Sequence, residues 1–289
     1  MVTAIENFQK PVLPLERMRQ LLPDARAAYN QARPFPHIVL DDFFKTEVVD
    51  KILSEFPAAK DIKWIQYNDS HQKKLANENE ENIGLFTRYV LYSLNSSTFL
   101  QFLEELTGIT GLISDCSFRS VGLHNIYRGR KLRIHADFNK HQKFALDRKL
   151  NPLLYLNKDW KEEYTGHLEL WDRKMKQCVQ RILPIFNRIV IFSTTDYSFH
   201  GHPDPLNCPE HLSQKPLDFY YFQSRTGKEK SHDYSTFWKL MSGEELEGGY
   251  IEGQKFPSSM VHEVQGLNPP ISPSTHARFI LMNPRTIKE

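Results

Sequence analysis

Seven short apolar runs fill the middle of this chain of 289 residues, and brief polar stretches separate them. The runs are rich in Val, Ile, Leu and aromatic residues, a composition typical of short β-strands. Strands that are this short and this closely spaced predict a sandwich or a barrel. The predicted strands are 121–127, 132–137, 151–156, 167–171, 179–183, 189–193 and 217–223.

The residues before these strands have a mainly helical character. Apolar residues recur near helical spacing in 15–32 and 46–56, and two further helices are predicted between 86 and 107. Proline-containing breaks end the first two helices. The predicted organisation is an N-terminal helical region (1–115) that packs on a β-rich core (116–225), followed by a C-terminal extension or lid (226–289). All three parts are expected to form one structural domain.

Charge and cysteine content narrow the classes of partner and compartment. The chain has 37 Lys and Arg against 35 Asp and Glu, which gives no reason to expect a nucleic-acid partner. Its three cysteines are scattered and lack metal-ligand spacing, as in proteins of a reducing compartment. No apolar run approaches a membrane span, and the N-terminus lacks the apolar core of a signal peptide. We therefore expect a soluble, cytoplasmic protein that does not associate with membranes.

A split set of metal-binding residues lies in the predicted strands. His135 and Asp137 are two residues apart in one strand, so both side chains point to the same face. His200 follows the later apolar run 188–192 and supplies a third ligand. Two imidazoles and one carboxylate on one face of a metal, with the other positions open, suit the chemistry of Fe(II) oxygenases. His202 shares the face of His200 on an extended segment and is the alternative third ligand.

Five ordered blocks of sequence carry a family resemblance. They are His-Ala-Asp at 135–137, Leu-Leu-Tyr-Leu-Asn at 153–157, Gly-His-Leu-Glu-Leu at 166–170, Asn-Arg-Ile-Val-Ile-Phe at 187–192 and His-Gly-His-Pro at 200–203. In this order they resemble the prolyl-hydroxylase-like branch of the Fe(II)- and 2-oxoglutarate-dependent oxygenases, over roughly residues 35–240.

This resemblance implies both a fold and a set of cofactors. The implied fold is α+β with a mainly β core, a double-stranded β-helix of the jelly-roll or cupin type with N-terminal flanking helices and a C-terminal extension. His135, Asp137 and His200 are implied as ligands of Fe(II), with 2-oxoglutarate and O2 as co-substrates. Alignment with the family's distal histidine favours His200 over His202.

The sequence departs from the family at the residue that usually pairs with the distal carboxylate of 2-oxoglutarate. The usual Arg position is occupied by Gln214, which is itself a candidate contact of the co-substrate, and Lys215 is adjacent but out of phase on the strand. A bulge at Pro216 would turn Lys215 inward and make it the first candidate for this role. Arg133 shares the parity of His135 and is a second candidate for this role, and Tyr127 is a candidate hydrogen-bond donor to the keto acid. Arg225 and Arg278 are less favoured. If none of these serves, either another keto acid is the co-substrate or the oxygenase interpretation is wrong.

Two functional hypotheses follow. The leading one is a hydroxylase-type dioxygenase that acts on an aliphatic C–H bond of a small molecule, amino acid or peptide. The alternative is a cupin-like metal-binding protein with altered or lost oxygenase activity, motivated by Gln214 and by Asp218 on the same predicted face. A metal-dependent isomerase or hydrolase is a weaker third. Asp137 argues against a halogenase, in which the carboxylate position is left open for halide.

Overall fold

The computed structural model describes residues 11–68, 72–77, 79–115, 122–141, 144–225 and 236–239. Among the described residues of the N-terminal region are four α-helices: α1 (Leu15–Gln31), α2 (Thr46–Ser54), α3 (Leu85–Leu94) and α4 (Ser97–Thr107). Single 3-10 turns occur at Glu80–Asn82 and Glu162–Tyr164. The predicted C-terminal extension, including Arg278, lies outside the described residues except for 236–239. None of the helices in these ranges has the length and apolar character that crossing a membrane would require.

The strands form two sheets in which every described pairing is antiparallel. The larger sheet runs in the order β1-β10-β7-β13-β5-β3-β2, with β12 beside β5 and with β14 beside β4 and β7. Its strands are β1 (His37–Leu40), β2 (Ile65–Asn68), β3 (Lys73–Asn77), β4 (Leu112–Ser114), β5 (Gly122–Tyr127), β7 (Leu146–Tyr155), β10 (Arg188–Ser193), β12 (Ser213–Gln214), β13 (Pro216–Asp218) and β14 (Tyr221–Ser224).

The smaller sheet runs in the order β15-β6-β11-β8-β9. Its strands are β6 (Leu132–Ala136), β8 (Leu168–Trp171), β9 (Cys178–Ile182), β11 (His200–His202) and β15 (Phe237–Trp238). An isolated bridge between Gln72 and Leu132 joins the start of β3 to the start of β6, so the two sheets meet at this edge.

The two-residue period of the central strands separates two apolar layers. On β10, Ile189 and Ile191 belong to the large cluster formed with the helices, whereas Val190 and Phe192 belong to a second cluster with residues of β7, β8 and β9. Successive side chains of a strand point to opposite faces, so one face of the larger sheet packs on the helices and the other faces the smaller sheet. The continuous apolar run predicted as a strand is therefore buried on both sides.

Most of the predicted strands are present, with one interruption. The predicted strand 217–223 is divided into β13 and β14, and Phe219 and Tyr220 lie between them. The strand predicted at 151–156 is the end of the longer β7. The short strands β11 and β12 were not predicted as strands, because two or three residues are too few to show a period.

The aromatic cluster between the helices and the larger sheet is a test of this packing. Phe99 of α4 is fully buried, and its ring lies 6.3 Å from that of Phe43 and 6.1 Å from that of Tyr221, measured between centroids. We expect Phe99→Ala to lower the free energy of unfolding by about 3–5 kcal/mol, because it removes a buried ring and leaves a cavity. Urea denaturation measures this loss. Leu85→Ala, at a helical side chain that is 71% exposed, is the matched control and should change stability by less than about 0.5 kcal/mol. Equal losses in the two variants would contradict the assigned core.

Candidate metal centre and its cavity

Antiparallel pairing of β6 with β11 brings the two predicted histidine ligands together. His135 lies directly opposite His200 in the register of these strands, although the two residues are far apart in the sequence. Asp137 follows the last residue of β6 and remains on the face of His135. The structure therefore brings together the three side chains that the sequence analysis singled out.

The geometry of these side chains is that of a compact three-ligand cluster. Their potential ligand atoms all lie within 4.8 Å of one another, and the three residues are buried. Nε2 of His135 lies 3.5 Å from Oδ1 of Asp137, and Nε2 of His200 lies 3.5 Å from Oδ2 of the same carboxylate. A single ion placed between these atoms would contact two nitrogens and one oxygen.

Backbone carbonyls orient both imidazoles. Nδ1 of His135 lies 2.8 Å from the carbonyl oxygen of Arg133, and Nδ1 of His200 lies 2.9 Å from that of Ser198. A carbonyl oxygen accepts hydrogen bonds, so each Nδ1 is assigned as the donor and each Nε2 keeps its lone pair. Outer hydrogen bonds of this kind are typical of metal-binding histidines.

Arg148 and Asn151 of β7 hold the carboxylate. The guanidinium of Arg148 donates to Oδ2 of Asp137 at 2.9 Å, and the side-chain amide of Asn151 donates to the same oxygen at 2.8 Å. Arg148 is itself fully buried and lies 3.4 Å from the centroid of the Tyr220 ring. Burial by itself would raise the pKa of Asp137, but Arg148 and the two imidazoles outweigh burial and hold that pKa well below its usual range.

The electrostatics favour the protonation states that a metal requires. Burial lowers the pKa of His200 to about 4, although the Asp137 carboxylate opposes the shift. The imidazole is therefore neutral at neutral pH and the carboxylate is ionised, which are the ligating forms of both groups. Two imidazole nitrogens and one carboxylate, open on the side of the cavity, fit Fe(II) as non-haem oxygenases hold it.

A cavity between the two sheets opens beside this cluster. Both sheets contribute to its wall, since β5, β7 and β13 line it on one side and β6, β8 and β11 on the other. The lining residues in addition to the three candidate ligands are Lys74, His124, Ile126, Leu132, Asn151, Leu153, Tyr155, Gly166, Leu168, Gly201, His202, Gln214, Pro216, Asp218 and Tyr220.

Of the four residues predicted to bind the keto acid, Gln214 is the one found among the described lining residues of the cavity. Its amide donates to the carbonyl oxygen of Gly166 at 2.7 Å. Lys215 lies outside the cavity, where its ammonium donates to Ser213 and lies 5.8 Å from the centroid of the Phe56 ring. The hydroxyl of Tyr127 accepts a hydrogen bond from Asn125, and Tyr127 packs against the helix-side core. The structure therefore does not place Lys215 or Tyr127 at the candidate ligands.

Arg133 is turned away from the cavity by an irregularity in β6. His135 pairs with His200 and Leu132 pairs with His202, so three residue steps on β6 face two on β11. Such a bulge shifts the phase of the strand by one residue, which places Leu132 rather than Arg133 in the cavity wall. Gly201 lies at this bulge, where a β-carbon would be 2.6 Å from the carbonyl oxygen of Arg133. Parity alone therefore placed Arg133 on the wrong face.

Several polar residues around the cluster were not predicted. Arg148 and Asn151 hold Asp137, yet they are three residues apart and share no strand parity, because β7 shifts register against β14 between Leu150 and Arg148. His124 contacts Asp218 at 2.9 Å between Nε2 and Oδ2. Lys74 was assigned to no site, because a single lysine next to a loop carries no signal in the sequence.

The comparisons with known proteins agree with this site. Residues 121–215 match the model of a family described as the 2OG-Fe(II) oxygenase superfamily. No curated protein matches the chain by sequence. The segment matched by the family model, residues 121–215, contains all three candidate ligands.

Solved structures of similar fold include three prolyl hydroxylases. One, from Trichoplax adhaerens in complex with a hypoxia inducible factor peptide, has a TM-score of 0.52 at 16% identity over 74% of this chain and 94% of its own. A prolyl-4-hydroxylase from Pseudomonas putida has a TM-score of 0.51 at 13% identity over 70% of this chain and 100% of its own. One from Phytophthora capsici has a TM-score of 0.50 at 16% identity, over 78% and 70%. The expected jelly-roll fold is thereby confirmed.

The choice between His200 and His202 can be tested by metal binding. We expect His200→Ala to weaken Fe(II) binding by more than about 100-fold, which exceeds the usual effect of an outer-shell residue. His202→Ala, its matched control two residues away, should retain the wild-type affinity. Anaerobic competition with a coloured chelator measures both. The reverse order of effects would assign His202 as the ligand.

The buried ion pair of Arg148 with Asp137 has a predictable effect on the stability of the metal-free protein. Arg148→Met should lower the free energy of unfolding at pH 7 by about 3–5 kcal/mol, because it leaves a buried carboxylate without its cation. Lys158→Met removes an exposed pair with Asp50 and should cost less than about 1 kcal/mol. Urea denaturation compares the two.

The pH dependence of this loss follows from the pKa of Asp137. In the wild type the lowered pKa contributes stability above the ordinary pKa of an aspartate, and this stability is lost as the pH falls through the folded-state value. In Arg148→Met burial remains and raises the pKa. The difference between the proteins should therefore be greatest at neutral pH and should shrink below about pH 4. A difference independent of pH would contradict this electrostatic account.

Proposed function

We propose that this chain is a non-haem dioxygenase of the 2OG-Fe(II) oxygenase superfamily, whose family model matches residues 121–215, and that His135, Asp137 and His200 are its iron ligands. Such an enzyme would use Fe(II), 2-oxoglutarate and O2. The observation that carries the proposal is the compact cluster of these three side chains in the wall of a cavity between the two sheets. When bound, the iron and the keto acid supply oxidative power toward an unactivated C–H bond, which ordinary side chains lack.

The protein's own residues orient the three candidate ligands and exclude water from the site. The carbonyls of Arg133 and Ser198 aim the two imidazoles, and Arg148 with Asn151 holds the carboxylate from behind. Because both partners of Asp137 bond to Oδ2, Oδ1 is the carboxylate oxygen left with fewer competitors for an ion. Apolar side chains of the cavity wall, such as Leu153 and Leu168, keep the site poor in water.

The proposed reaction is hydroxylation of an aliphatic C–H bond in a small molecule, an amino acid or a peptide. The fold supports this range, since a prolyl hydroxylase of similar fold from Trichoplax adhaerens was solved with a peptide. The alternative of a cupin-like protein without oxygenase activity is not favoured. Gln214, which motivated it, removes the usual partner of the co-substrate but leaves the ligand cluster intact.

The described part of the C-terminal region is residues 236–239, where the backbone of β15 pairs with β6 so that residue 238 lies opposite His135. A reducing, cytoplasmic compartment is proposed from the cysteines, since Cys178 and Cys208 are both free thiols.

Anaerobic titration of the Fe(II)-loaded protein with 2-oxoglutarate tests the proposed function. We expect a saturable visible charge-transfer band, and slow formation of succinate once O2 is admitted. Asp137→Ala should show neither signal, while Lys158→Met, a substitution on the exposed surface, should show both. Iron binding without a band in the wild type would overturn the proposed function.

A further inference from the structure

We propose that Lys74 of β3, together with His202 of β11, binds the distal carboxylate of 2-oxoglutarate in place of the basic residue that Gln214 replaces. This inference rests on the proposed function. Of its two residues, Lys74 lies outside the segment matched by the family model and His202 lies inside it.

Strand register places Lys74 level with Gln214. Leu75 pairs with Asn125 and Ala76 pairs with His124, so the next position along places Lys74 beside Ile126. Ile126 pairs in turn with Gln214. Lys74, Ile126 and Gln214 thus form one row across three neighbouring strands, and all three line the cavity. Adjacent strands lie roughly 4.8 Å apart, so Lys74 and Gln214 are separated by two such spacings within this row.

His202 reaches the same end of the cavity from the smaller sheet. His202 pairs with Leu132, and Leu132 forms an isolated bridge with Gln72. Gln72 lies two residues before Lys74 in the chain. Lys74 of the larger sheet and His202 of the smaller sheet both line the cavity.

The imidazole of His202 lacks a partner that its burial would normally require. Both ring nitrogens are buried and have no hydrogen-bond partner within the described part of the chain. An imidazole in either protonation state carries at least one N–H donor. A buried donor without a partner is costly, so an acceptor group of a ligand is expected at this position.

The separation from the metal centre suits a five-carbon dicarboxylate. His202 lies two residues beyond His200 on β11, a step of roughly 6.8 Å along a strand, and Leu132 lies beyond His135 on β6. A keto acid that chelates the metal at one end would extend its second carboxylate in this direction. The acidic group Asp218 is paired with His124 and lies four residues from Gln214 toward the other end of the cavity.

The ammonium of Lys74 lies 5.4 Å from the centroid of the Tyr67 ring, and the other cations near the cavity also have contacts. Arg148 is bonded to Asp137 itself, and Lys215 lies outside the cavity. Among the described lining residues Lys74 is the one lysine or arginine. Gln214, whose amide is bonded to Gly166, can add at most one neutral N–H.

The test compares two keto acids that differ in the distal carboxylate. The dissociation constants of 2-oxoglutarate and of 2-oxovalerate are measured from the charge-transfer band of the anaerobic Fe(II) protein. The wild type should bind 2-oxoglutarate more tightly. Lys74→Met should raise the dissociation constant of 2-oxoglutarate roughly 10–100-fold, as expected for loss of a charge-assisted hydrogen bond. Binding of 2-oxovalerate should change by less than about 2-fold, because it never uses this contact.

Control variants separate this contact from damage to the fold. Lys73→Met changes the neighbouring exposed residue of β3 and should leave both constants unchanged. Lys74→Arg should keep most of the preference for 2-oxoglutarate. His202→Leu should weaken 2-oxoglutarate selectively, by roughly 3–10-fold, as for a single neutral hydrogen bond. Thermal stabilisation of the Zn(II)-loaded variants by 2-oxoglutarate is a second readout that needs no oxygen chemistry.

The outcomes distinguish the two proposals. Selective loss of 2-oxoglutarate binding in Lys74→Met supports the inference. A band in the wild type that Lys74→Met leaves unchanged, or equal weakening of both keto acids, overturns the inference while the proposed function stands. Absence of any band in the wild type overturns both.

Discussion

The site depends on the antiparallel pairing of β6 with β11. This pairing places His135 opposite His200, and the end of β6 adds Asp137 beside them. The bulge in the same pair has a second consequence, because it turns Leu132 rather than Arg133 into the cavity and requires the absence of a side chain at Gly201. A regular ladder would bring the same ligands together but would give the cavity a different wall. The metal centre and the shape of its cavity are therefore set by one strand pair.

Charge is distributed unevenly along the cavity. At the metal end the Asp137 carboxylate is surrounded by two imidazoles, Arg148 and Asn151, so its charge is compensated before any ion is bound. At the other end Lys74 and His202 face the cavity. A dianionic keto acid placed between a divalent ion and this cationic end would meet favourable charge at both carboxylates. The family's usual basic residue is then unnecessary at Gln214, because β3, which lies two strands away in the sheet, supplies the cation in the same row.

Prediction from the sequence succeeded where a short-range period carries the information. The two-residue alternation and apolar character of β5 to β10 indicated strands, and the order of five sequence blocks indicated the jelly roll. It was less successful for residues whose side-chain direction depends on irregular pairing. Arg133 was assigned by parity, which the bulge reverses, and Arg148 with Asn151 escaped notice because their spacing fits no strand period. Lys215, next to the usual position in the sequence, points away from the cavity toward Phe56.

The sequence by itself determined the class of fold, the family resemblance and the three ligand candidates, because alternation along a strand and a short ligand motif are local properties. Only the tertiary structure decided which partners surround them. Arg148 donates a hydrogen bond to Asp137, and Lys74 lies in one row with Gln214. The ring nitrogens of His202 have no hydrogen-bond partner within the described residues. These arrangements arise because strands distant in the chain become neighbours in the sheets. Register and bulges set these contacts, and both arise from packing between strands rather than from the residues of any one strand.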